Sequence, residues 1–340
     1  MSMYTSDHVP FNIITGFLGS GKTTILKKIL EDEQFGDSAI LINEFGEVGI
    51  DDLIISEVSR DVVVLKSGCV CCTIRGELSE SIKSLFEKRR NGEIPYFKRI
   101  ILETTGLADP SPISATLVHD SVLKNNVILG QTLTVIDALN WENNKNEFTV
   151  WLDQVSASDQ VWIGKKDLVS EESVKALTIL INDLNPACTV VSSVKNILKD
   201  VFIQNSFKAT YSPNNSENSF LLGHESKKSN SAKLDNINSF RLFISEKNFD
   251  WFGFGVWLSL LLKKHGNKIL RVKGVLYTAG KADPVVIHGV QHIIHPPAHV
   301  TFLREENRVS RVVFITKGID KETVENSLTY FMNACKSGED

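Results

Sequence analysis

The sequence predicts an α/β fold, a parallel sheet with helices on both faces, followed by a small α+β domain. Three observations carry that reading. Short apolar runs alternate with helical patterns from Phe11 to Leu184. The first run opens into Gly16-Phe17-Leu18-Gly19-Ser20-Gly21-Lys22-Thr23-Thr24, a G-x-x-x-x-G-K-[ST] loop set between a strand and a helix. From about Asn205 the texture turns to Ser, Asn and Lys, and ordered patterns resume at Phe240. The expected domains are therefore 1–205 and 239–340, joined by a polar linker at 206–238.

The glycine loop explains the order of the first elements. Phe11–Ile14 is a short apolar strand and Ile25–Leu30 is helical. Between them, glycines let backbone N–H groups turn inward around phosphate oxygens, and the helix N-terminus adds its partial positive charge. Lys22 reaches the terminal phosphates, and the Thr23 hydroxyl holds Mg²⁺. Gly16, Gly19, Ser20, Gly21, Lys22, Thr23 and Thr24 are the expected contacts. The implied fold is a P-loop NTPase domain that binds a nucleoside triphosphate.

Ser38–Ile42 is a continuous apolar run of the kind buried in a parallel sheet. It enters the acidic, glycine-containing stretch Asn43–Asp52, read either as a switch ordered by the terminal phosphate or as a solvated loop. A further strand, Asp61–Lys66, feeds Cys69, Cys71 and Cys72. Three thiolates within four residues suit a soft or borderline metal and leave a tetrahedral ion one ligand short. Cys69 and Cys72 also have redox spacing, and chance clustering of buried cysteines is a third reading, but the triplet favours metal.

Gly76–Arg90 follows as a helix with Leu78, Ile82, Leu85 and Phe86 at helical spacing. The strand Phe97–Gly106 ends in E-x-x-G, which places Glu103 beside the expected Mg²⁺. Strands at Thr132–Asp137 and Val161–Ile163 precede Gly164-Lys165-Lys166-Asp167. That tetrapeptide is close to the N-K-x-D guanine reader: Asp167 would accept from the guanine N1–H and 2-amino groups while the Lys165 stem covers the base. Taken alone it is also an ordinary solvated turn. Ser170–Leu184 reads as a helix with Ser170 as N-cap.

The C-terminal part offers strands at Phe240–Ile244, Arg271–Thr278, Pro284–Val290 and Arg311–Thr316. Its helices are Asn248–His265, with Phe249, Phe252, Val256 and Leu260 along one side, and Lys321–Cys335. His288, His292, His295 and His299 lie within twelve residues. A second metal site is one reading, but Pro296-Pro297 and strand alternation favour structural or surface histidines. A net charge of −4 without a basic block argues against a nucleic-acid or membrane surface. The absence of a long apolar run or signal-peptide core leads us to expect a cytoplasmic chain. In a reducing compartment five cysteines, three of them clustered, suggest metal chemistry rather than disulfides.

With GFLGSGKTT, NEFGEVGID, GCVCC, LETTGLADP, LTVIDA, LRVKG and HGVQH in order, the chain resembles the CobW family of the CobW, UreG and HypB class of GTPases. The resemblance implies GTP hydrolysis, with slow intrinsic turnover, used to load Zn²⁺ or another divalent ion such as Co²⁺ onto a client metalloprotein. It implies metal ligands at Cys69, Cys71 and Cys72, with Glu47 added from the switch. Thr23, Glu103 and Asp51 would serve Mg²⁺, and Lys22, Thr23 and Glu103 would carry catalysis. Gly164 departs from the family's Asn, Ser or Thr and weakens the expected guanine preference. A homodimer stays open. Competing readings are a zinc-sensing module with nucleotide as a structural ligand, and a P-loop kinase, which would need an arginine-bearing lid.

If the thiolates hold metal, titration should find one tight Zn²⁺ per chain, weakening as pH falls because protons compete for sulfur. Cys71→Ser and Cys72→Ser should each lose that site. Unchanged stoichiometry and affinity in both would defeat the assignment.

Overall fold

The computed structural model describes residues 8–43, 63–67, 74–191, 237–245, 250–278, 284–295, 297–299 and 309–336. The linker expected at 206–238 lies outside these residues except for its last two positions. The chain separates into two compact units, one built mainly from residues 4–181 and the other from 211–340.

In the first unit the strands are β1 (Val9–Thr15), β2 (Ser38–Asn43), β3 (Val63–Ser67), β4 (Arg99–Glu103), β5 (Val127–Asp137), β6 (Gln160–Gly164) and β7 (Thr189–Val191). They form one parallel sheet in the order β3-β2-β4-β1-β5-β6-β7. The helices are α1 (Lys22–Leu30), α2 (Ile74–Arg90), α3 (Ser111–His119), α4 (Trp141–Glu147), α5 (Thr149–Ala157) and α6 (Glu171–Leu184).

The apolar strands are continuous because both faces of the sheet are buried. Ile14, Ile40 and Ile101 face α1, where they meet Ile25, Leu26 and Ile29. Their neighbours Ile13, Leu41 and Ile100 face the other way, into Leu78, Ile82 and Leu85 of α2 and Ile113 and Leu117 of α3. The connection from β1 runs to β2 on one side, and that from its neighbour β4 runs to β5 on the other. The carboxyl end of β1 is thus a topological switch point, where open sheets of this kind bind their ligands.

The second unit is antiparallel and carries β8 (Ile237–Ser245), β9 (Ile269–Leu276), β10 (Val285–Val290), β11 (Ile293–Ile294), β12 (Ala298–His299) and β13 (Val309–Lys317). The strand order is β11-β10-β9-β13-β8, with β12 paired to β10. Helices α7 (Trp251–His265) and α8 (Lys321–Lys336) pack against this sheet. Asp250 caps α7, accepting from the N–H groups of Phe252 at 2.9 Å and Gly253 at 2.8 Å.

Several expectations need correction. Strand β8 begins three residues before Phe240, because Ile237 pairs with Lys317 and the Asn238 amide donates to the Ile319 carbonyl at 3.0 Å. On α7 the side expected to be apolar is the outward one. Phe252 and Leu260 are exposed, while Phe254, Trp257, Leu258, Leu261 and Leu262 form the core; Phe249 lies outside the described residues. That helix is apolar on both sides, so periodicity alone could not choose, and the pairing of Trp257 with Phe314 does. Helices α3, α4 and α5 were not expected at all. For α3 the signal was present: Asp109 accepts from Ser111 N–H at 2.9 Å and Pro112 sits in the first turn.

Two of the four histidines have contacts of a structural kind. His292 lies in the turn after β10, donating from Nδ1 to the Leu262 carbonyl at 2.9 Å, with Nε2 2.8 Å from the Asn267 amide. His295 is buried, and its N–H donates to the His288 carbonyl. Among the described residues no group of three or more His, Cys, Asp or Glu side chains is arranged to hold a metal ion.

Asp120, just past α3, ties α2 to the approach to β5. It accepts from the Ser79 hydroxyl and from Val122 and Leu123 N–H, and lies 3.2 Å from Lys83 Nζ. Burial would raise its pKa, but the Ser79, backbone and Lys83 bonds outweigh burial and hold it well below the usual carboxylate range. A folded pKa below the unfolded value stabilises above the ordinary range, and the gain is lost as pH falls through the folded value. Asp120→Asn should cost roughly 0.5–1 kcal/mol at pH 7, and the gap should narrow below about pH 4. A gap in thermal melts that does not change with pH would contradict this account.

Candidate nucleotide site

The glycine loop leaves the carboxyl end of β1 in a conformation that requires its glycines. Gly16, Gly19 and Gly21 have φ of 141°, 70° and 98°. A Cβ on Gly16 would collide with the Val135 carbonyl of β5, whereas Gly19 and Gly21 border open space. Ser20 is buried, and its hydroxyl has no hydrogen-bond partner among the described residues. Lys22 Nζ donates back to the Phe17 carbonyl at 3.2 Å, so its charge is held inside the loop. A concave, glycine-built turn with an orphaned hydroxyl and a retained ammonium fits a polyphosphate.

Thr23, in the first turn of α1, donates from Oγ1 to Glu103 Oε1 at 2.7 Å. The sheet makes this meeting possible: Glu103 closes β4, in register with Ile14 of β1 and Ile42 of β2. Glu103 is buried. A hydroxyl and a carboxylate at the mouth of a phosphate loop are hard oxygen donors of the kind Mg²⁺ takes.

The segment after Glu103 packs directly onto the loop. Thr104 N–H donates to the Ile14 carbonyl at 2.9 Å, and Thr104 Oγ1 to Thr15 Oγ1 at 2.9 Å. A Cβ on Gly106 would stand within 2.7 Å of Leu18 Cα, so only glycine allows the close approach. From α5, the buried amide of Gln154 donates to the carbonyls of Gly106 at 3.2 Å and Ala108 at 3.1 Å. Sequence reasoning missed Gln154, because it lies in an unexpected helix and belongs to no motif.

The base-reading candidates come from β6. Gly164 pairs with Asp137 of β5, and a Cβ at 164 would lie 3.3 Å from the Ser20 carbonyl. The candidate reader therefore abuts the phosphate loop. Lys165 takes a left-handed conformation, φ 56°, which costs a non-glycine residue roughly 1–2 kcal/mol. Its Nζ lies 2.7 Å from Asp137 Oδ2. Asp167 is exposed in the short turn Lys166–Leu168, and Lys166 Nζ sits 5.6 Å over the Trp162 ring. Burial lowers the Lys166 pKa.

Asp137, quoted in a motif but given no role from sequence, is nearly buried and accepts three bonds. Leu139 N–H reaches Oδ1 at 2.9 Å, while Asn140 Nδ2 at 2.9 Å and Lys165 share Oδ2. Burial would raise its pKa, but the Lys165, Asn140 and Leu139 bonds win and hold the carboxyl below its ordinary value.

The described residues thus gather Gly16–Thr24, Glu103 and Gly164–Asp167 along one edge of one sheet. Glu47, Asp51, Cys69, Cys71 and Cys72 lie outside them. Their flanking strands are described: Asn43, the last residue of β2, pairs with Ser67, the last of β3.

Comparison with known proteins agrees with this arrangement. Residues 10–192 match the model of the CobW/HypB/UreG nucleotide-binding domain, and 237–332 that of the cobalamin synthesis protein cobW C-terminal domain. The chain is 30% identical over 292 residues to the zinc chaperone YjiA of Escherichia coli, covering 84% of this chain and 87% of that protein. It is 34% identical over 204 residues to the zinc-regulated GTPase metalloprotein activator 1 of Schizosaccharomyces pombe, covering 58% of this chain and 48% of the relative. The crystal structure of Zn(II)-bound YjiA GTPase superposes with a TM-score of 0.68 at 24% identity, over 95% of this chain and 99% of that one, a likeness of fold. A glycine-built phosphate loop, a Thr23–Glu103 pair at the switch point and two matched domains lead to one conclusion: the chain belongs to the CobW/HypB/UreG family.

Proposed function

We propose that the chain is a GTP-driven metallochaperone that binds Zn²⁺, or a similar divalent ion such as Co²⁺, at Cys69, Cys71 and Cys72 and passes it to a client metalloprotein. As a member of its family it is a GTPase. In this reading Gly16, Gly19, Ser20, Gly21, Lys22 and Thr24 cradle the phosphates, and Thr23 and Glu103 hold Mg²⁺ with help from Asp51. Lys165 and Asp167 read the guanine. Bound Mg²⁺ supplies the positive charge that offsets charge building on the transferring phosphoryl group. Lys22, already turned into the loop, adds to it.

The observation that carries the coupling of metal to nucleotide is one row of the sheet. Lys66, Ile42, Glu103 and Ile14 lie side by side across β3, β2, β4 and β1. The cysteine motif starts three residues after Lys66, and the acidic switch candidate with Glu47 starts one after Ile42. Both segments therefore leave the sheet at the edge where the phosphate loop begins. At about 4.8 Å per strand, Ser67 stands roughly 10 Å from the Glu103 strand, near enough for one short loop to touch both centres. The relatives, a zinc chaperone and a zinc-regulated GTPase metalloprotein activator, support the metal and the client. No helix among the described residues is long and apolar enough to cross a membrane, and we place the chain in the cytoplasm.

Lys22→Ala should reduce phosphate release from GTP to background while leaving zinc stoichiometry intact, because it removes only the loop's charge. Wild type should prefer GTP over ATP in competition binding. Hydrolysis persisting in Lys22→Ala, or an ATP preference in wild type, would overturn the GTPase site as drawn.

A further inference from the structure

The guanine reader of this chain lacks the side-chain amide that normally opens an N-K-x-D motif, since Gly164 stands in its place. Such a loop needs another tie, because a lysine whose stem is to cover a flat base must have its backbone and its ammonium both held. We propose that Asp137 supplies that tie: it is a positioning residue for nucleotide binding, acting through Lys165. The inference rests on the reading of Lys165 and Asp167 as the base site.

Three features of the fold carry it. First, Asp137 is placed by the sheet rather than by a loop. It is the last residue of β5, in register with Gly164, and Ala138 N–H donates to the Gly164 carbonyl at 3.0 Å, so the two strand ends are fastened together. Second, Lys165 adopts a left-handed backbone, and Gln291 is the other non-glycine residue with positive φ among the described residues. Such a conformation persists where surrounding contacts over-determine it. Here the 2.7 Å ion pair to Asp137 anchors the far end of the side chain. Third, Asp137 is itself immobilised, its Oδ1 on Leu139 N–H and its Oδ2 also on Asn140 Nδ2. The carboxylate is 3% exposed and the Lys165 side chain 36%. The anchor is dry and the lysine stem stays reachable, as a residue that must lie against an incoming base requires.

The alternative role for Asp137 is purely architectural, as the acceptor of the Leu139 and Asn140 bonds that shape the turn after β5. Asp137→Asn and Lys165→Ala together separate the two. In Asp137→Asn an amide oxygen can still accept from Leu139 N–H, but the acceptor for Asn140 and the charge that pairs with Lys165 are gone, whereas Lys165→Ala removes the ion pair and leaves both turn bonds in place. Binding of GDP, GTP, ITP and ATP should be measured for wild type, Asp137→Asn, Lys165→Ala and the double variant, with kcat and KM for GTP and thermal melts alongside.

We expect Asp137→Asn and Lys165→Ala each to weaken GTP and ITP together by about tenfold. KM should rise with kcat within about twofold, and the double variant should be no weaker than either single one. The GTP-to-ITP ratio should stay as in wild type, because inosine lacks only the 2-amino group read by Asp167. Wild-type GTP affinity in Asp137→Asn would overturn the proposal. So would additive losses in the double variant, or a fall in kcat at unchanged KM. Should wild type fail to prefer GTP over ATP while the two single variants remain non-additive, the guanine reading fails and the tie survives.

Discussion

The Thr23 hydroxyl donates to Glu103 at 2.7 Å across eighty positions of sequence, and the rest of the nucleotide edge is organised around that meeting. It requires β1 to lie directly beside β4, which places a crossover between them in sequence and a switch point between them in space. It requires Gly106 to be glycine, so that the chain leaving Glu103 can lie on Leu18 of the phosphate loop. It also requires the buried amide of Gln154 to hold the carbonyls of Gly106 and Ala108 from the opposite side. A parallel sheet buried on both faces is what makes such an edge rigid. Each strand end is fixed by apolar packing above and below, and the polar groups project only where the strands stop.

The same logic extends to the base side. Asp137 and Gly164 end adjacent strands, as Glu103 and Ile14 are paired near the ends of theirs. Glycine at 164, where a Cβ would lie 3.3 Å from the Ser20 carbonyl, leaves the candidate reader loop without the side-chain amide of an N-K-x-D motif. In the proposed base site the Asp137–Lys165 ion pair would offset that loss and part of the strain at Lys165. Phosphate loop, proposed metal-side carboxylate and proposed base reader thus lie along one ordered edge rather than on three independent loops.

Much of this was legible in the residues. Apolar runs such as Ser38–Ile42 have no polar alternation, and only a sheet covered on both faces buries them fully. The phosphate loop declares itself because its glycines and lysine occur at fixed spacing for a local backbone reason. What was not legible depends on contacts between distant segments. Helix α5 gave no sign that Gln154 would be aimed at the chain after β4, since a buried glutamine and a solvated one are spelled alike. Asp137 carries no local signature, as its partners come from the next strand and the turn that follows. On α7, two apolar faces competed for one sheet, and the bulk of Trp257 and Phe254 against Phe314 decided between them. The thiolates Cys69, Cys71 and Cys72 were the reverse case, conspicuous in sequence and outside the described residues.

The central claim is that nucleotide state and metal affinity are linked, because both candidate centres begin at the same edge of one sheet. Any such linkage is reciprocal, and typical couplings are about 1–3 kcal/mol, or roughly 5- to 150-fold in affinity. The direct measurement is Zn²⁺ affinity of the full chain in the presence of a non-hydrolysable GTP analogue with Mg²⁺, and again with GDP. The account predicts affinities that differ at least several-fold between the two states, with the difference much reduced in Glu47→Ala. Equal affinities in both nucleotide states would contradict it.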